Sequence, residues 1–204
     1  TELLGPASPP PDTTTELSAI QPLVERRSRH AADDTAPDVL AAPRPQEWPD
    51  VDLSVVMYNN GRWLDAFVDS LHALDYPADR LRLRFVDNGS TDATPGLLAA
   101  AVERLRARGI GASVVAQGNP GLGAGPNAGL PRGRAPLGLV TNVDLTFAPD
   151  ALKEVVAAAE ADPSAAAWEL RQKPYEHPKY YDPVTGETNW NSPACVLLRR
   201  KAVE

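Results

Sequence analysis

The sequence predicts an α/β protein with a mostly parallel sheet covered by helices in three layers, a Rossmann-like arrangement. Short apolar runs alternate with amphipathic helical stretches from residue 51 onward. Two of those runs, Phe85-Val86-Asp87-Asn88 and Leu139-Val140-Thr141-Asn142, end abruptly in acidic or amide groups. Alternation of strands with helices gives parallel pairing through crossover connections. Polar groups carried to strand C-termini collect in the crevice that an open α/β sheet presents at that edge.

The elements follow in order. Residues 53–58 read as a strand, and in residues 62–74 Leu64, Phe67, Val68, Leu71 and Leu74 fall on one helical face. Leu81, Leu83 and Phe85 alternate with Arg82 and Arg84, which makes a second strand. Thr94-Pro95 then opens a helix with a capping hydroxyl and a proline in the first turn; its stripe is Leu97, Leu98, Ala101, Val102 and Leu105, and Gly109 closes it. Strands at 112–116 and 137–141 follow, then a helix at 149–161. Segments 165–170 and 194–198 read as strands flanking a polar, aromatic insertion at 171–192, where Asp182-Pro183-Val184-Thr185-Gly186 signals a turn pairing 179–181 with 187–190.

Composition narrows the function. The 204 residues are 43% hydrophobic and 6% aromatic, enough for one aliphatic core, and the net charge of −7 excludes non-specific nucleic-acid binding, which needs a basic surface. The single Cys195 cannot form an internal disulfide and reads as a core residue. No apolar run approaches the roughly 20 residues that span a bilayer, and residues 1–6 lack the basic start of a signal peptide. Nine of the 21 prolines fall in residues 1–49, which read as a tail or linker ahead of a domain at 50–204. A start without Met and an end at Arg200-Lys201-Ala202-Val203-Glu204, read as an opening helix, suggest a fragment truncated at its C-terminus.

The strand ends should share one edge. Tyr58-Asn59-Asn60 ends the first strand, Asp87-Asn88 the second, Asn119-Pro120-Gly121 follows the third, and Asn142-Val143-Asp144 ends the fourth. An aromatic face, a carboxylate and amides suit a nucleobase and ribose, and a second carboxylate can hold a divalent cation. Gly123-Ala124-Gly125-Pro126-Asn127-Ala128 also satisfies the dinucleotide pattern Gly-x-Gly-x-x-Ala. Pro126, Gly129, Pro131 and Gly133 forbid the long helix which that pattern requires, so a nicotinamide or flavin site is set aside.

Residues 51–202 resemble the nucleotide-binding part of a family 2 glycosyltransferase with the GT-A fold. The resemblance rests on Ser54-Val55-Val56 with Tyr58-Asn59, on residues 86–92, on Asn119-Pro120-Gly121 leading to Asn127-Ala128-Gly129, and on Asn142-Val143-Asp144. It implies that Tyr58, Asn59, Asp87 and Asn88 contact the base side of the donor, with Asp87 accepting from the N–H of uracil or thymine. Asn119, Gly121 and Asn127 would shape the donor pocket, and Asp144 would hold Mg²⁺ or Mn²⁺ against the diphosphate, beside Asn142. Asn142 takes the first place of the family's Asp-x-Asp motif, and an Asn-x-Asp version resembles a rhamnosyltransferase-like branch. Trp190, Asn191 and Ser192 are acceptor or sugar contacts on the same basis, and Glu169 and Glu187 are further polar candidates.

The implied activity is inverting transfer from a UDP- or dTDP-sugar to a hydroxyl on a cell-envelope glycan or lipid-linked saccharide. It places the domain in the cytoplasm at the inner face of a membrane, with peripheral association through regions outside this chain. Three departures qualify it: Met57 replaces a small hydroxyl residue before Tyr58, Pro126 replaces a basic residue before Asn127, and the acceptor-activating base is expected beyond Glu204. The alternatives are a sugar-nucleotide binding module without a catalytic base and, less well matched, a nucleotidyltransferase. The latter would want a glycine-rich basic loop where Tyr58-Asn59-Asn60-Gly61-Arg62 stands.

Overall fold

In the computed structural model the described residues are 42–118, 129–130, 133–174, 182 and 186–203. The chain divides into two units. One comprises 1–36 and 171–178, of which only 171–174 are described. The other, 37–170 with 179–204, contains every element below.

Six strands form one sheet: β1 (Val51–Met57), β2 (Leu81–Asp87), β3 (Gly111–Ala116), β4 (Leu137–Asn142), β5 (Ala167–Glu169) and β6 (Cys195–Arg199), in the order β3-β2-β1-β4-β6-β5. The first four pair in parallel, while β6 runs antiparallel to β4 and β5. This is the mostly parallel α/β sheet read from the alternation. Among the described residues three helices, α1 (Leu64–His72), α2 (Thr94–Ala107) and α3 (Ala151–Ala161), accompany it.

Period-2 alternation assigns the two faces of the sheet. Val51, Leu53, Val55 and Met57 of β1, with Leu81, Leu83 and Phe85 of β2 and Leu137 and Leu139 of β4, join one buried cluster with Phe67, Leu71, Leu98, Leu105, Leu152 and Val156 from the helices. The other face of β1 is polar: Asp52 and Ser54 are both 1% exposed. Residues 129–130 and 133–136 contribute to its cover. A Cβ on Gly129 would overlap Ser54 Oγ and one on Gly133 would overlap the Asp52 carboxylate, so only glycine permits this approach.

Asp52 anchors that cover. Its carboxylate accepts from Arg84 Nη1 (3.1 Å), Arg200 Nη2 (2.8 Å) and the amide of Ala135 (2.8 Å), while Arg200 also donates to the carbonyls of Ala135 (2.6 Å) and Leu130 (2.8 Å). Upstream of β1, Trp48 meets Tyr76 edge-on with ring centroids 5.5 Å apart, and Asp50 pairs with Arg80 and Arg82. Among the described residues no helix is long and apolar enough to cross a membrane.

Several boundaries differ from expectation for local reasons. Helix α1 stops at His72, because the Leu74 amide turns back to Leu71 O and the Asp75 amide bonds Pro149 O instead. Tyr58 falls outside β1, its amide being taken by Asn60 Oδ1 at 3.3 Å. Thr94 does not cap α2: the Asp92 carboxylate accepts from the Thr94 amide at 2.9 Å, and the Thr94 hydroxyl accepts from the amide of Gly61. Leu97, placed on the buried stripe of α2, is 43% exposed. Residues 200–202 form a single 3-10 turn in place of an opening helix. The expected hairpin lies mostly outside the described residues; within it, the Asp182 amide bonds Glu187 O and the Gly186 amide bonds Asp182 O.

Candidate functional site

Three parallel strands end almost level. Met57 stands opposite Asp87, and Val56 stands opposite both Val86 and Asn142. The antiparallel β6 brings its first residue to this edge, with Cys195 opposite Thr141 and the Asn142 amide donating to Ala194 O at 2.9 Å. The edge therefore gathers Tyr58, Asp87, Asn142 and the segment before β6, which are far apart in the chain.

Asp87 is its most constrained member. The alternation that turns Arg82 and Arg84 to the polar face puts Asp87 on the helix-covered face, at the last position before the strand leaves the sheet. Only 5% of the residue is exposed. Its Oδ1 accepts from the Ser90 hydroxyl at 2.6 Å and from the Ser90 amide at 3.1 Å. No described residue donates to Oδ2. Asn88, 4% exposed, accepts from Gln117 Nε2 at 2.7 Å, and the Gln117 amide donates to Asp87 O at 2.9 Å, which ties the β2 end to the β3 end. Tyr58, adjoining Met57 across from Asp87, is 50% exposed and presents its ring to solvent.

A second set of bonds fastens the two loops together. Asn59 lies in the left-handed region at φ 52°, which Asn tolerates better than most residues. Its Oδ1 accepts from the amides of Thr91 (2.8 Å) and Asp92 (3.3 Å), and its own amide donates to Ser90 Oγ (3.0 Å). A chain of donors thus runs from Asn59 N–H to Ser90 Oγ–H to Asp87 Oδ1. Asp92 has its carboxyl held below the ordinary 3.8 by the Thr94 hydroxyl first and the Thr94 amide second, which keeps this cap ionised.

At the β4 end, Asn142 and Asp144 are both exposed and sit on either side of Val143, which is 1% exposed. The buried Val143 roots the turn while its polar neighbours face water. Among the described residues no group of three His, Cys, Asp or Glu is arranged to hold a metal. The exposed carboxylate and amide are hard oxygen donors of the kind that share Mg²⁺ or Mn²⁺ with substrate phosphates, so they fit such an ion provided a ligand supplies the rest of its shell.

Of the remaining predicted contacts, Trp190 is 40% exposed and Asn191 is exposed, whereas Ser192 is 1% exposed. The Ser192 amide donates to Glu169 Oε2 at 2.9 Å and its hydroxyl accepts from the Ala194 amide at 3.3 Å. Ser192 and Glu169 therefore brace the β5–β6 edge. Cys195 is buried as expected, and burial pushes its thiol up to about 12, with a Thr141 hydrogen bond opposing and the Glu169 charge adding. Asn119, Gly121 and Asn127 lie outside the described residues.

The model of glycosyl transferase family 2 matches residues 53–203, about three quarters of the chain. The chain belongs to that family. Among solved structures, a mannosyltransferase from Pyrobaculum calidifontis, PcManGT, in complex with GDP-Man and Mn²⁺, is similar at TM-score 0.66 and 22% identity over 94% of this chain and 55% of its own. The S. aureus protein TarS, residues 1–349, is similar at TM-score 0.55 and 18% identity over 74% of this chain and 47% of its own. These likenesses show the GT-A fold; the chain spans about half the length of either protein. No curated protein matches.

Family membership accounts for the strand-end residues that carried the resemblance. That resemblance includes Ser90 but not the bond by which Ser90 reaches Asp87, and it does not point to Gln117, whose side chain reaches Asn88. Ser90 had a signal in its spacing, since a hydroxyl three residues after an Asp at a strand end can close an Asx-type turn. Gln117 had none, because its role depends on the lateral pairing of β2 with β3.

Proposed function

We propose that this chain is the donor-binding part of an inverting glycosyltransferase that takes a UDP- or dTDP-sugar with a divalent cation and delivers the sugar to a hydroxyl acceptor. The observation that carries the reading is Asp87: a nearly buried carboxylate, fixed through Oδ1, with Oδ2 unbonded by any described residue, paired with Met57, after which comes the exposed Tyr58. A nucleobase stacked on Tyr58 would meet Oδ2 with its edge, and a uracil or thymine N3–H would donate to it. Asn119, Gly121 and Asn127 are proposed to line the rest of the donor pocket.

Asp144, assisted by Asn142, would hold Mg²⁺ or Mn²⁺ against the diphosphate. Such an ion supplies Lewis-acid stabilisation of charge on the departing nucleoside diphosphate. The similar mannosyltransferase was solved with a nucleoside-diphosphate sugar and Mn²⁺. Asn142 in the first position of the motif supports a rhamnosyltransferase-like branch, and Trp190 and Asn191 offer surface for the sugar or acceptor. A cell-envelope glycan or lipid-linked saccharide, reached at the cytoplasmic face of a membrane, is the acceptor this branch implies. The proton-accepting carboxylate that would activate the acceptor is assigned to none of the residues described.

Calorimetry with UDP, dTDP and GDP, with and without Mn²⁺, tests the reading. Binding of UDP or dTDP that strengthens with Mn²⁺ and loses that dependence in Asp144→Ala is expected. Failure to bind any nucleoside diphosphate, or binding indifferent to Asp144→Ala, would refute it. Release of sugar from a bound donor separates a transferase from a binding module.

A further inference from the structure

The bonds at Asp87 say more than that a base is held there; they bear on which base. A carboxylate has about four lone-pair sites, two on each oxygen. The Ser90 amide and hydroxyl together use both sites of Oδ1, at 3.1 and 2.6 Å. The hydroxyl is committed to that role, because its own oxygen accepts from the Asn59 amide at 3.0 Å, which orients its proton toward Asp87. Asp87 is 5% exposed, so water does not readily compete at the occupied oxygen.

We infer that Ser90 is a specificity-determining residue: by filling Oδ1 of Asp87 it leaves one acceptor oxygen, which matches a base edge with a single N–H and gives no reward for a second. This inference rests on the nucleotide-binding reading above. Uracil and thymine present one N–H, at N3, between two carbonyls. Guanine presents two parallel donors, N1–H and N2–H, which a carboxylate satisfies fully only with both oxygens. Guanine would thus bring its amino group to an oxygen with no lone pair to offer, and an unpaired donor in a desolvated site is what discriminates strongly between otherwise similar ligands. Ser90 touches no donor atom in this scheme and acts through Asp87, so it is a positioning residue.

The test compares UDP, N3-methyl-UDP, IDP and GDP by calorimetry on the 204-residue chain, on Ser90→Ala and on Ser90→Thr. IDP differs from GDP only in lacking the 2-amino group, so the GDP-to-IDP ratio reports whether the second oxygen is in use. In the unaltered chain UDP should bind at least about tenfold more tightly than GDP, N3-methylation should abolish most of that affinity, and IDP, which has no amino group to leave unpaired, should bind more tightly than GDP. Ser90→Ala should raise the affinity of GDP relative to IDP by about fivefold or more, and Ser90→Thr, which keeps the hydroxyl, should restore the ratio of the unaltered chain. A general loss of folding would weaken all four ligands together and could not produce this change of ratio.

The comparison within the unaltered chain needs no mutant. If it already binds GDP about tenfold more tightly than IDP, or if Ser90→Ala leaves every ratio unchanged while nucleotides still bind, the role of Ser90 is overturned and the donor-site reading stands. If none of the four nucleotides binds, both fall.

Discussion

Replacing Asp52 tests how the polar face of the sheet is held. Its side chain is 1% exposed and carries three bonds, to Arg84, Arg200 and the Ala135 amide, and the two arginine side chains are themselves only 17% and 14% exposed. Asp52→Ala removes the carboxylate that bridges two guanidinium groups and strands a buried amide. Breaking a buried pair costs about 3–5 kcal/mol, and an unpaired buried amide about 1–3 kcal/mol. Because both arginines retain a path to water, the lower part of that combined range applies, about 4 kcal/mol. For a domain of this size each kcal/mol moves Tm by about 2–4 °C, so the variant should melt about 8–16 °C lower.

Arg200→Met should cost less, about 2 kcal/mol, because Asp52 loses one donor but keeps Arg84 and Ala135, and the carbonyls of Leu130 and Ala135 each lose one. Urea titration of both single variants and of the double variant is the assay. The two share one network, so the double variant should be more stable than the sum predicts by at least about 1 kcal/mol. An Asp52→Ala variant within 1 kcal/mol of the unaltered chain, or strict additivity, would refute the view that this carboxylate anchors residues 133–136 to the sheet.

Further outcomes follow from single groups. The Cys195 thiol, pushed up to about 12 by burial, should resist thiol reagents at pH 8 in the folded chain and label at once in denaturant; labelling within seconds in the native state would contradict its placement. Its raised value also means that its contribution to stability is complete below the ordinary 9.0 and lost as pH rises toward 12, so Cys195→Ala should flatten the alkaline limb of a stability curve. Asp50 has its carboxyl lowered below 3.8, first by the Arg82 hydrogen bond, so its contribution is present above that value and lost as pH falls through the lower native one. Asp50→Asn should therefore reduce the acid sensitivity of unfolding, and an unchanged acid limb would count against the pairing. Asn59→Gly keeps the left-handed backbone but loses the bonds to Thr91 and Asp92, while Asn59→Ala loses both; nucleotide affinity should fall in that order, and equal effects would show that the backbone conformation is immaterial.

What was legible in the sequence had a short physical range. Asp87 could be placed because alternation with Arg82 and Arg84 fixes which way a strand residue turns, and its position after Val86 fixes that it stands at the tip. The strand ends were expected along one edge of the sheet, and β1, β2 and β4 do end level. Misreadings came where a residue with a familiar local use was claimed by a partner elsewhere. Thr94 reads as a cap, yet its hydroxyl is taken by Gly61, which lies 33 residues upstream. Leu97 fits a helical stripe, yet it lies at the edge of that stripe, against the place where a Gly61 Cβ would be, and remains half open.

The same distinction separates the residues proposed to touch a ligand from those that give them their chemistry. Tyr58, Asp87, Asn142 and Asp144 each stand within two residues of a strand end, so a linear motif displays them. Whether a carboxylate offers one oxygen or two is decided by its other bonds, and at Asp87 those come from Ser90, itself oriented by Asn59 across a separation of 31 residues. The anchor beneath residues 133–136 joins Asp52 to Arg200 over 148 residues. The Asp87–Ser90 turn leaves a spacing in the chain, whereas the bond from Asn59 and the anchor from Asp52 to Arg200 leave none, because both depend on a sheet bringing distant strands side by side. A motif therefore identifies the class of site, while selectivity within the class resides in bonds that exist only once the sheet has formed.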